Sequence, residues 1–308
     1  MPGSVLGNAG SWLWLDARIL RRTLRRTAKN LRYGNKALAE SPILFSNSFP
    51  KSGTHLLTQV LAGFARIGPA VVSGLPAIVT FRGDTGSQRT VNEILADLNR
   101  LLPGDIAYGH IHAFPEAINN FLRPGFAAYF ILRDPRDVAV SHVHYLTSMA
   151  SKHIHHNYFQ DELPDFDSRL LASIQGVAVE QLRDSRNHKE ENEPLPLPDI
   201  RSRFEPYLDW LGHPQIFTIR YEEFIEQLKD AITRVLDHAI LRGFATRFPR
   251  EQAIEILIQG IDPSRSPTFR SGKSGSWREA FNPAHKQVFK QVSGDLLIRL
   301  GYENDESW

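Results

Sequence analysis

The feature that most constrains the fold is a run of seven residues, Phe126–Leu132 (FAAYFIL), with no charged or strongly polar member. A strand with one solvated face alternates apolar and polar residues, whereas a continuous run indicates a strand buried on both faces of a parallel sheet. Further apolar runs occur at Ile43–Ser48, Asp105–His110 and 215–219. Because these runs alternate with helical patterns, the sequence predicts an α/β, three-layer P-loop-like fold with a central, mainly parallel sheet flanked by helices.

The helical patterns follow three of these strands. Helices are predicted over about 54–66, 136–149 and 222–241. Two polar stretches interrupt the alternation, at residues 80–90 and at the proline-rich 187–200. Both are predicted to be surface loops.

Composition excludes several classes of protein. The chain has 308 residues, of which 42% are hydrophobic and 23% charged, which excludes wholesale disorder. It contains no cysteine, so structural disulfides, thiolate catalysis and cysteine-ligated metals are excluded. No apolar run approaches the roughly 18 residues that a transmembrane helix requires, and the order of a signal peptide is lacking. A cytoplasmic protein is therefore expected.

Residues 12–33 carry the pattern of a basic amphipathic helix. Between residues 17 and 39 there are eight Lys and Arg residues and no acidic one, although the whole chain has a net charge of only +2. Two interpretations remain open: a terminal helix packed on the protein with a solvated arginine face, or a helix that contacts an anionic membrane surface at its periphery. We accordingly expect residues 1–40 to form this helical segment and residues 41–308 to form the main domain.

The turn after the first strand, residues 50–54 (PKSGT), has the layout of an anion site. A glycine allows close backbone approach, the first amides of the following helix point at the anion, and Lys51 adds positive charge. The spacing is not the G-x-x-x-x-G-K-[ST] of nucleotide hydrolases and kinases. On these residues alone, an ordinary strand-to-helix turn with an exposed lysine remains an alternative.

A second candidate site follows the long apolar strand. Arg133 stands directly after it, at the sheet edge where open α/β sheets bind ligands. If the next residues are helical, Ser141 lies about two turns further on and can share one anionic group with Arg133. An arginine fork suits a phosphate group.

Three segments together resemble the PAPS-dependent sulfotransferases, PAPS being 3′-phosphoadenosine-5′-phosphosulfate. Residues 49–57 (FPKSGTHLL) resemble the family's 5′-phosphosulfate loop, and residues 131–145 (ILRDPRDVAVSHVHY) resemble its 3′-phosphate motif. Residues 269–281 (FRSGKSGSWREAF) resemble its C-terminal RKGxxGDWKxxF loop. The resemblance covers about residues 43–283 with the motifs in the family's order.

The resemblance implies a donor site for PAPS and its product, 3′-phosphoadenosine-5′-phosphate (PAP). The residues implied to hold the 5′-phosphosulfate are Lys51, Ser52, Gly53, Thr54 and His55. The residues implied to hold the 3′-phosphate are Arg133, Ser141, Arg270, Ser271 and Gly272. Three departures weaken the match: Ser271 replaces a family lysine, Leu56 replaces a tryptophan that stacks on adenine, and the family's dimerisation segment is not recognisable. Phe204 and Tyr207 are then the candidate adenine-stacking residues.

A general base is expected at the end of the second long strand, in the sequence YGHIHAFP. Histidine suits this role because its ordinary pKa lies near ~6.5. The family pattern favours His110, and His112 remains an alternative. Lys51 is expected to neutralise the bridging oxygen of the leaving group, with no metal ion required.

The same residues leave two alternative functions open. The alternatives are a P-loop-type nucleotide kinase and a non-catalytic, membrane-docking nucleotide-binding protein. Nucleic-acid binding is not expected, because basic residues are not interleaved with aromatic ones outside residues 12–33. Five histidines crowd one region, and a pocket-lining or solvated role is favoured over a metal site: His142, His144, His153, His155 and His156. The acceptor stays open among small molecules, lipids and carbohydrates, and so does the oligomeric state.

Overall fold

A computed structural model describes residues 5–83, 85–184, 194–266 and 272–308, with side chains from Leu15 onward. Its centre is one sheet of six strands in the order β2-β4-β1-β5-β6, with β3 also pairing with β4. Every strand pairing in this sheet is parallel. The strands are β1 Ile43–Ser48, β2 Val71–Val72, β3 Ile78–Val79, β4 Asp105–His110, β5 Phe126–Leu132 and β6 Ile216–Arg220.

Helices cover both faces of the sheet. They are α1 Val5–Tyr33, α2 Asn35–Glu40, α3 Thr54–Ile67, α4 Val91–Asn99, α5 Pro115–Leu122, α6 Pro135–His144, α7 Phe166–Gln175, α8 Val179–Arg183, α9 Ile200–Phe204, α10 Tyr221–Glu226, α11 Leu228–Leu241, α12 Arg250–Ile258, α13 Trp277–Ala280, α14 Pro283–Ser293 and α15 Leu296–Arg299. Two π-helical turns, Tyr145–Met149 and Tyr158–Glu162, and two 3₁₀ turns, Glu205–Trp210 and Pro263–Arg265, complete the regular structure.

The environment of β5 explains why the sequence of this strand is apolar throughout. All seven of its residues are buried. Phe126 and Phe130 point into the core that contains α4, α5 and α7, whereas Tyr129 and Ile131 point into the core formed with α3, α11 and α12. A strand covered on both faces needs apolar side chains at every position. The prediction of a three-layer α/β fold with a central parallel sheet is confirmed.

The predicted boundaries of the strands agree with the structure better than those of the helices. The predicted bounds of β1, β4 and β5 are confirmed to the residue. The helix expected over 222–241 is instead two helices, because Gln227 leaves the helical region at φ −138° and ψ 49°. The helix expected over 136–149 ends at His144 and continues as a π-helical turn.

The N-terminal helix α1 is packed on the protein through its basic side chains. Arg22 is only 6% exposed and pairs with Asp105, which is fully buried. Arg26 reaches the same carboxylate at 3.0 Å, and Lys29 donates to the carbonyl of Ala65. The helix is packed on the protein, as one of the two interpretations predicts. Its arginine face is only partly solvated, because a buried carboxylate and backbone carbonyl groups of the protein bind several of these cations. No helix in the described ranges has the length and apolarity to span a membrane.

Candidate active site

The site lies at the carboxyl ends of three neighbouring strands. β1 is flanked by β4 on one side and β5 on the other, all parallel. The segments that leave these strands therefore emerge side by side. They carry Lys51 after β1, His110 at the end of β4 and Arg133 after β5.

The turn from β1 to α3 is built on two left-handed residues. Lys51 has φ 70° and Gly53 has φ 96°. A Cβ atom on Gly53 would lie 2.6 Å from Cδ2 of Tyr221, so this position has no room for a side chain. The tight turn brings the first residue of α3, Thr54, directly under the strand, where its hydroxyl bonds that of Ser48 at 2.8 Å.

The same turn leaves polar groups oriented for an anion. Among the described residues, no side chain caps the start of α3, so its first amides and the positive end of its dipole are exposed to a ligand. Ser52 is fully buried, and its Oγ has no hydrogen-bond partner within the described part of the chain. A buried hydroxyl without a partner is costly unless a ligand supplies one. These residues fit a phosphate or sulfate group.

Lys51 is held inside the site. Its Nζ lies 4.0 Å from the ring centroid of Tyr145, a distance at which a cation is attracted to the ring face. Burial, followed by repulsion from the Arg133 cation, lowers the pKa of Lys51 to about 8. The neighbouring His55 also has a lowered pKa, because of burial and of the Lys51 charge.

Arg133 is anchored from three sides. Its guanidinium lies 4.5 Å from the ring centroid of Tyr221, and its Nη2 donates to Asp137 at 3.2 Å and to the carbonyl of Lys273 at 3.0 Å. Asp137 also accepts from the backbone amide of Gly275 at 2.8 Å. Within the described ranges Nε of Arg133 is buried and has no partner. The arginine is thus fixed through Nη2, and its buried Nε is left for a ligand.

Of the other residues expected at the 3′-phosphate, two lie in the described part of the chain and two do not. Ser141 is half-buried on α6, two helical turns beyond Arg133. Gly272 has φ 62° and adjoins Lys273, whose carbonyl accepts from Arg133. The C-terminal loop therefore reaches the Arg133 side of the site. Arg270 and Ser271 lie outside the described residues.

His110 is oriented by Ser48. Its Nδ1 lies 3.0 Å from the carbonyl oxygen of Ser48 and 3.0 Å from the hydroxyl of the same residue. A carbonyl can only accept, so the bond to it requires Nδ1 to carry the hydrogen. The other ring nitrogen, Nε2, then has a lone pair and can accept a proton. The pKa of His110 is lowered, chiefly by burial, with His55 and Lys51 adding to the effect, while the Ser48 bond opposes it.

His112 has a different environment. Its ring makes edge contacts with Phe81, at a centroid distance of 5.3 Å, and with Tyr207, at 4.8 Å. Burial lowers its pKa to about 4, which keeps the ring neutral. Its backbone amide donates to the hydroxyl of Thr80 at 2.9 Å. His112 therefore packs in an aromatic cluster with Phe81 and Tyr207.

The two aromatic residues considered for adenine stacking are buried. Phe204 is 2% exposed and stacks on Phe49 at 3.7 Å. Tyr207 is 5% exposed and contacts Phe49 and His112. Neither ring has an open face, so this expectation is not supported by the packing.

One family of known proteins matches more than half of this chain. The profile of the family described as the sulfotransferase domain matches residues 112–301. This chain belongs to the sulfotransferase family. The matched segment includes Arg133, Ser141 and Gly272, whereas Lys51 and His110 precede it.

Solved structures of sulfotransferase type have the same fold. Mouse sulfotransferase SULT7A1 complexed with PAP is similar with a TM-score of 0.53 and 15% identity, over 86% of this chain and 90% of that one. Retinol dehydratase in complex with retinol and PAP is similar with a TM-score of 0.51 and 15% identity, over 84% and 83%. The same enzyme with androsterone and PAP has a TM-score of 0.50 and 14% identity, over 84% and 83%.

One curated protein also matches a segment of this sulfotransferase. DNA repair protein RAD5 of Debaryomyces hansenii is 26% identical over 98 residues, which are 30% of this chain. The match spans only 8% of that protein's length. It therefore assigns no activity to this chain.

Three residues of the sulfotransferase site were not singled out from the sequence. Ser48 orients His110, Tyr145 contacts Lys51, and Tyr221 lies between Gly53 and Arg133. Tyr221 directly follows β6. Its position at the carboxyl end of a parallel strand is a signal that could have identified it. Ser48, the last residue of β1, has the same signal, whereas Tyr145 follows a helix and has none.

The histidine-rich region of this sulfotransferase is held by structural hydrogen bonds. Nδ1 of His142 lies 3.2 Å from the hydroxyl of Ser173, and Nε2 of His155 lies 2.8 Å from the carbonyl of Leu195. Within the part of the chain that the structure describes, no group of three or more His, Asp and Glu side chains is arranged to hold a metal ion.

Proposed function

We propose that this chain transfers a sulfuryl group from PAPS to an acceptor hydroxyl or amine, with His110 as the general base. The observation that carries the proposal is the convergence of Lys51, Arg133 and a correctly oriented His110 at the ends of three adjacent strands. Family membership supports sulfuryl transfer in general. The donor is proposed because all three of these similar structures are complexes with PAP.

Two separate anion positions in the site match the two ends of this donor. The turn at residues 51–55 supplies a cation, the positive end of a helix and a buried hydroxyl without a partner among the described residues, for the 5′-phosphosulfate. Arg133, whose Nε has no partner in the part of the chain that the structure describes, and Ser141 are the proposed ligands of the 3′-phosphate, together with the loop at 270–272. Tyr221, half-buried between the two positions, is the proposed aromatic contact of the nucleotide.

The proposed chemistry is an in-line displacement at sulfur. Nε2 of His110 takes the proton of the acceptor while the acceptor oxygen or nitrogen forms a bond to sulfur. The bond from sulfur to the bridging phosphate oxygen breaks, and its electron pair leaves with PAP. The Lys51 ammonium stabilises the charge that develops on this oxygen. No metal ion takes part in the proposed step.

The surroundings of the base favour an acceptor with an apolar body. His112, which burial keeps neutral, lies two residues after His110 in an aromatic cluster with Phe81 and Tyr207, and of these rings Phe81 is 45% exposed. Retinol and androsterone, named in two of the similar structures, are small molecules of this kind. We propose a small-molecule or lipid acceptor that places a hydroxyl at His110.

Donor binding is tested by thermal shift with PAP, with adenosine 5′-monophosphate and with ATP–Mg. PAP is expected to raise Tm, and the monophosphate is expected to raise it less, because it lacks the 3′-phosphate. Arg133→Gln should remove most of this difference between the two ligands. Stabilisation by ATP–Mg without stabilisation by PAP contradicts the proposal and favours a kinase.

The catalytic roles are tested by turnover of labelled PAPS over a panel of hydroxyl acceptors. His110→Gln is expected to lower kcat by about 10²–10⁴-fold while PAP binding persists. Lys51→Ala is expected to lower both kcat and PAP affinity. The matched controls are His213→Gln, at a half-buried position before β6, and Lys229→Ala, at an exposed position on α11. If His112→Gln abolishes turnover and His110→Gln does not, His112 is the base.

A further inference from the structure

The outward face of α1 is apolar. Leu20, Leu24 and Leu31 are 61%, 63% and 86% exposed. Their spacing of four and eleven residues places them on one face of the helix. This leucine stripe, defined by Leu20, Leu24 and Leu31, extends about 16 Å at 1.5 Å per residue.

The orientation of the helix is fixed by its opposite face. Arg22 and Arg26 pair with the buried Asp105. Arg25 donates to the carbonyl of Val72 at 2.9 Å, and Lys29 donates to that of Ala65. These polar contacts point the basic side chains at the protein. An ordinary surface helix buries its apolar face, so the reversed arrangement leaves the leucine stripe uncovered.

The residues that flank the leucine stripe differ between its two edges. Arg21 and Arg32 are exposed and each follows a stripe leucine by one residue, which places both on the same edge. On the other edge, the hydroxyls of Thr23 and Thr27 bond carbonyl groups of their own helix. No acidic residue occurs between residues 17 and 39. The stripe is therefore apolar, with a cationic edge.

We propose that the leucine stripe of α1 seats this protein on a membrane surface rich in anionic phospholipid. The leucines would enter the boundary between headgroups and acyl chains, and Arg21 and Arg32 would contact the anionic headgroups. Charge complementarity selects this occupant over a second copy of the chain, because two such stripes facing each other bring like charges together. The proposal does not depend on the proposed sulfuryl transfer.

The experiment is co-sedimentation of the full chain with vesicles. The wild-type protein is expected to bind vesicles of phosphatidylcholine mixed with phosphatidylserine and to bind pure phosphatidylcholine much less. The triple variant Leu20→Gln, Leu24→Gln, Leu31→Gln is expected to lose about tenfold or more in partitioning, because its apolar contact is removed. The double variant Arg21→Gln, Arg32→Gln should partition on the order of tenfold less into the mixed vesicles, and its weak binding to pure phosphatidylcholine should not change.

The matched control is Leu241→Gln, which replaces a leucine that is 81% exposed on α11. It should bind the mixed vesicles like the wild type. Thermal unfolding of all variants verifies that they remain folded. Failure of the wild type to bind the mixed vesicles overturns the proposal, and so does unchanged binding by the triple variant. A wild-type dimer that the triple variant converts to a monomer identifies a second copy as the occupant and equally overturns it.

Discussion

At the scale of single residues, the site depends on how burial sets the charge of two groups. In the proposed reaction His110 must be neutral to accept a proton, and burial lowers its pKa. In the same proposal Lys51 must be a cation to stabilise the leaving group, and burial with Arg133 nearby lowers its pKa to about 8. Both shifts move the titrations toward the acid side. The pH range in which His110 is neutral while Lys51 is charged therefore lies lower than it would for histidine and lysine side chains with ordinary pKa values.

The pH dependence of kcat/KM follows from these two pKa values. Protonation of His110 should reduce the rate as pH falls through a value below 6.5, and deprotonation of Lys51 should reduce it as pH rises through about 8. Steady-state rates with PAPS between pH 5 and 9.5 measure both limbs. Lys51→Arg should move the alkaline limb upward, because arginine stays protonated. An alkaline limb unaffected by Lys51→Arg contradicts the assignment.

At the scale of elements, the ion pairs that attach α1 to the sheet converge on one buried carboxylate. Asp105 begins β4, is fully buried, and accepts from Arg22, from Arg26 and from the backbone amide of Leu102 at 2.9 Å. A charge in such a position is stabilised only while its partners are present. The helix and the sheet edge are therefore expected to depend on one another.

Asp105→Asn is expected to destabilise the protein by about 3–5 kcal/mol, because it leaves Arg22 buried without its partner. Denaturant unfolding measures the change. The control is Asp237→Asn, which breaks a similar bidentate pair with Arg250 in which both side chains are 47% exposed. A solvated pair contributes about 0–1 kcal/mol. Equal losses for the two variants would falsify the role given to Asp105.

At the scale of the whole molecule, several histidines are buried in their neutral form. Burial lowers the pKa of His153 and His238 to about 4, and that of His142 well below its ordinary value. In the unfolded chain these groups titrate near ~6.5. Below that pH the unfolded state binds more protons than the folded state, so stability declines as pH falls.

The free energy of unfolding should therefore decrease from about pH 6.5 toward pH 4. His238 isolates the effect because it packs against Tyr129 and Phe217, away from the donor site. By linkage its share is about 1–3 kcal/mol across that interval. Denaturant unfolding of the wild type and of His238→Gln at several pH values measures it. The variant should show the shallower pH dependence, and parallel curves would rule out this histidine as a source.

The sheet could be predicted because its strands carry strong local signals. Phe126–Leu132 is apolar throughout, so both its length and its burial on two faces follow from composition alone. The residues that follow the strands, Lys51 and Arg133, could be predicted as site residues because parallel strands share one carboxyl edge. The short strands β2 and β3 have two residues each and were not predicted, since so few residues carry no periodicity.

The sequence by itself determined the layer architecture and the chemical types at the site, because periodicity and motif spacing are local properties. Only the tertiary structure decided which nitrogen of His110 can accept a proton, because that depends on Ser48, 62 residues away. It also decided which face of α1 is buried. The sequence shows an amphipathic helix, but the buried Asp105 draws the arginines inward and turns the leucines outward.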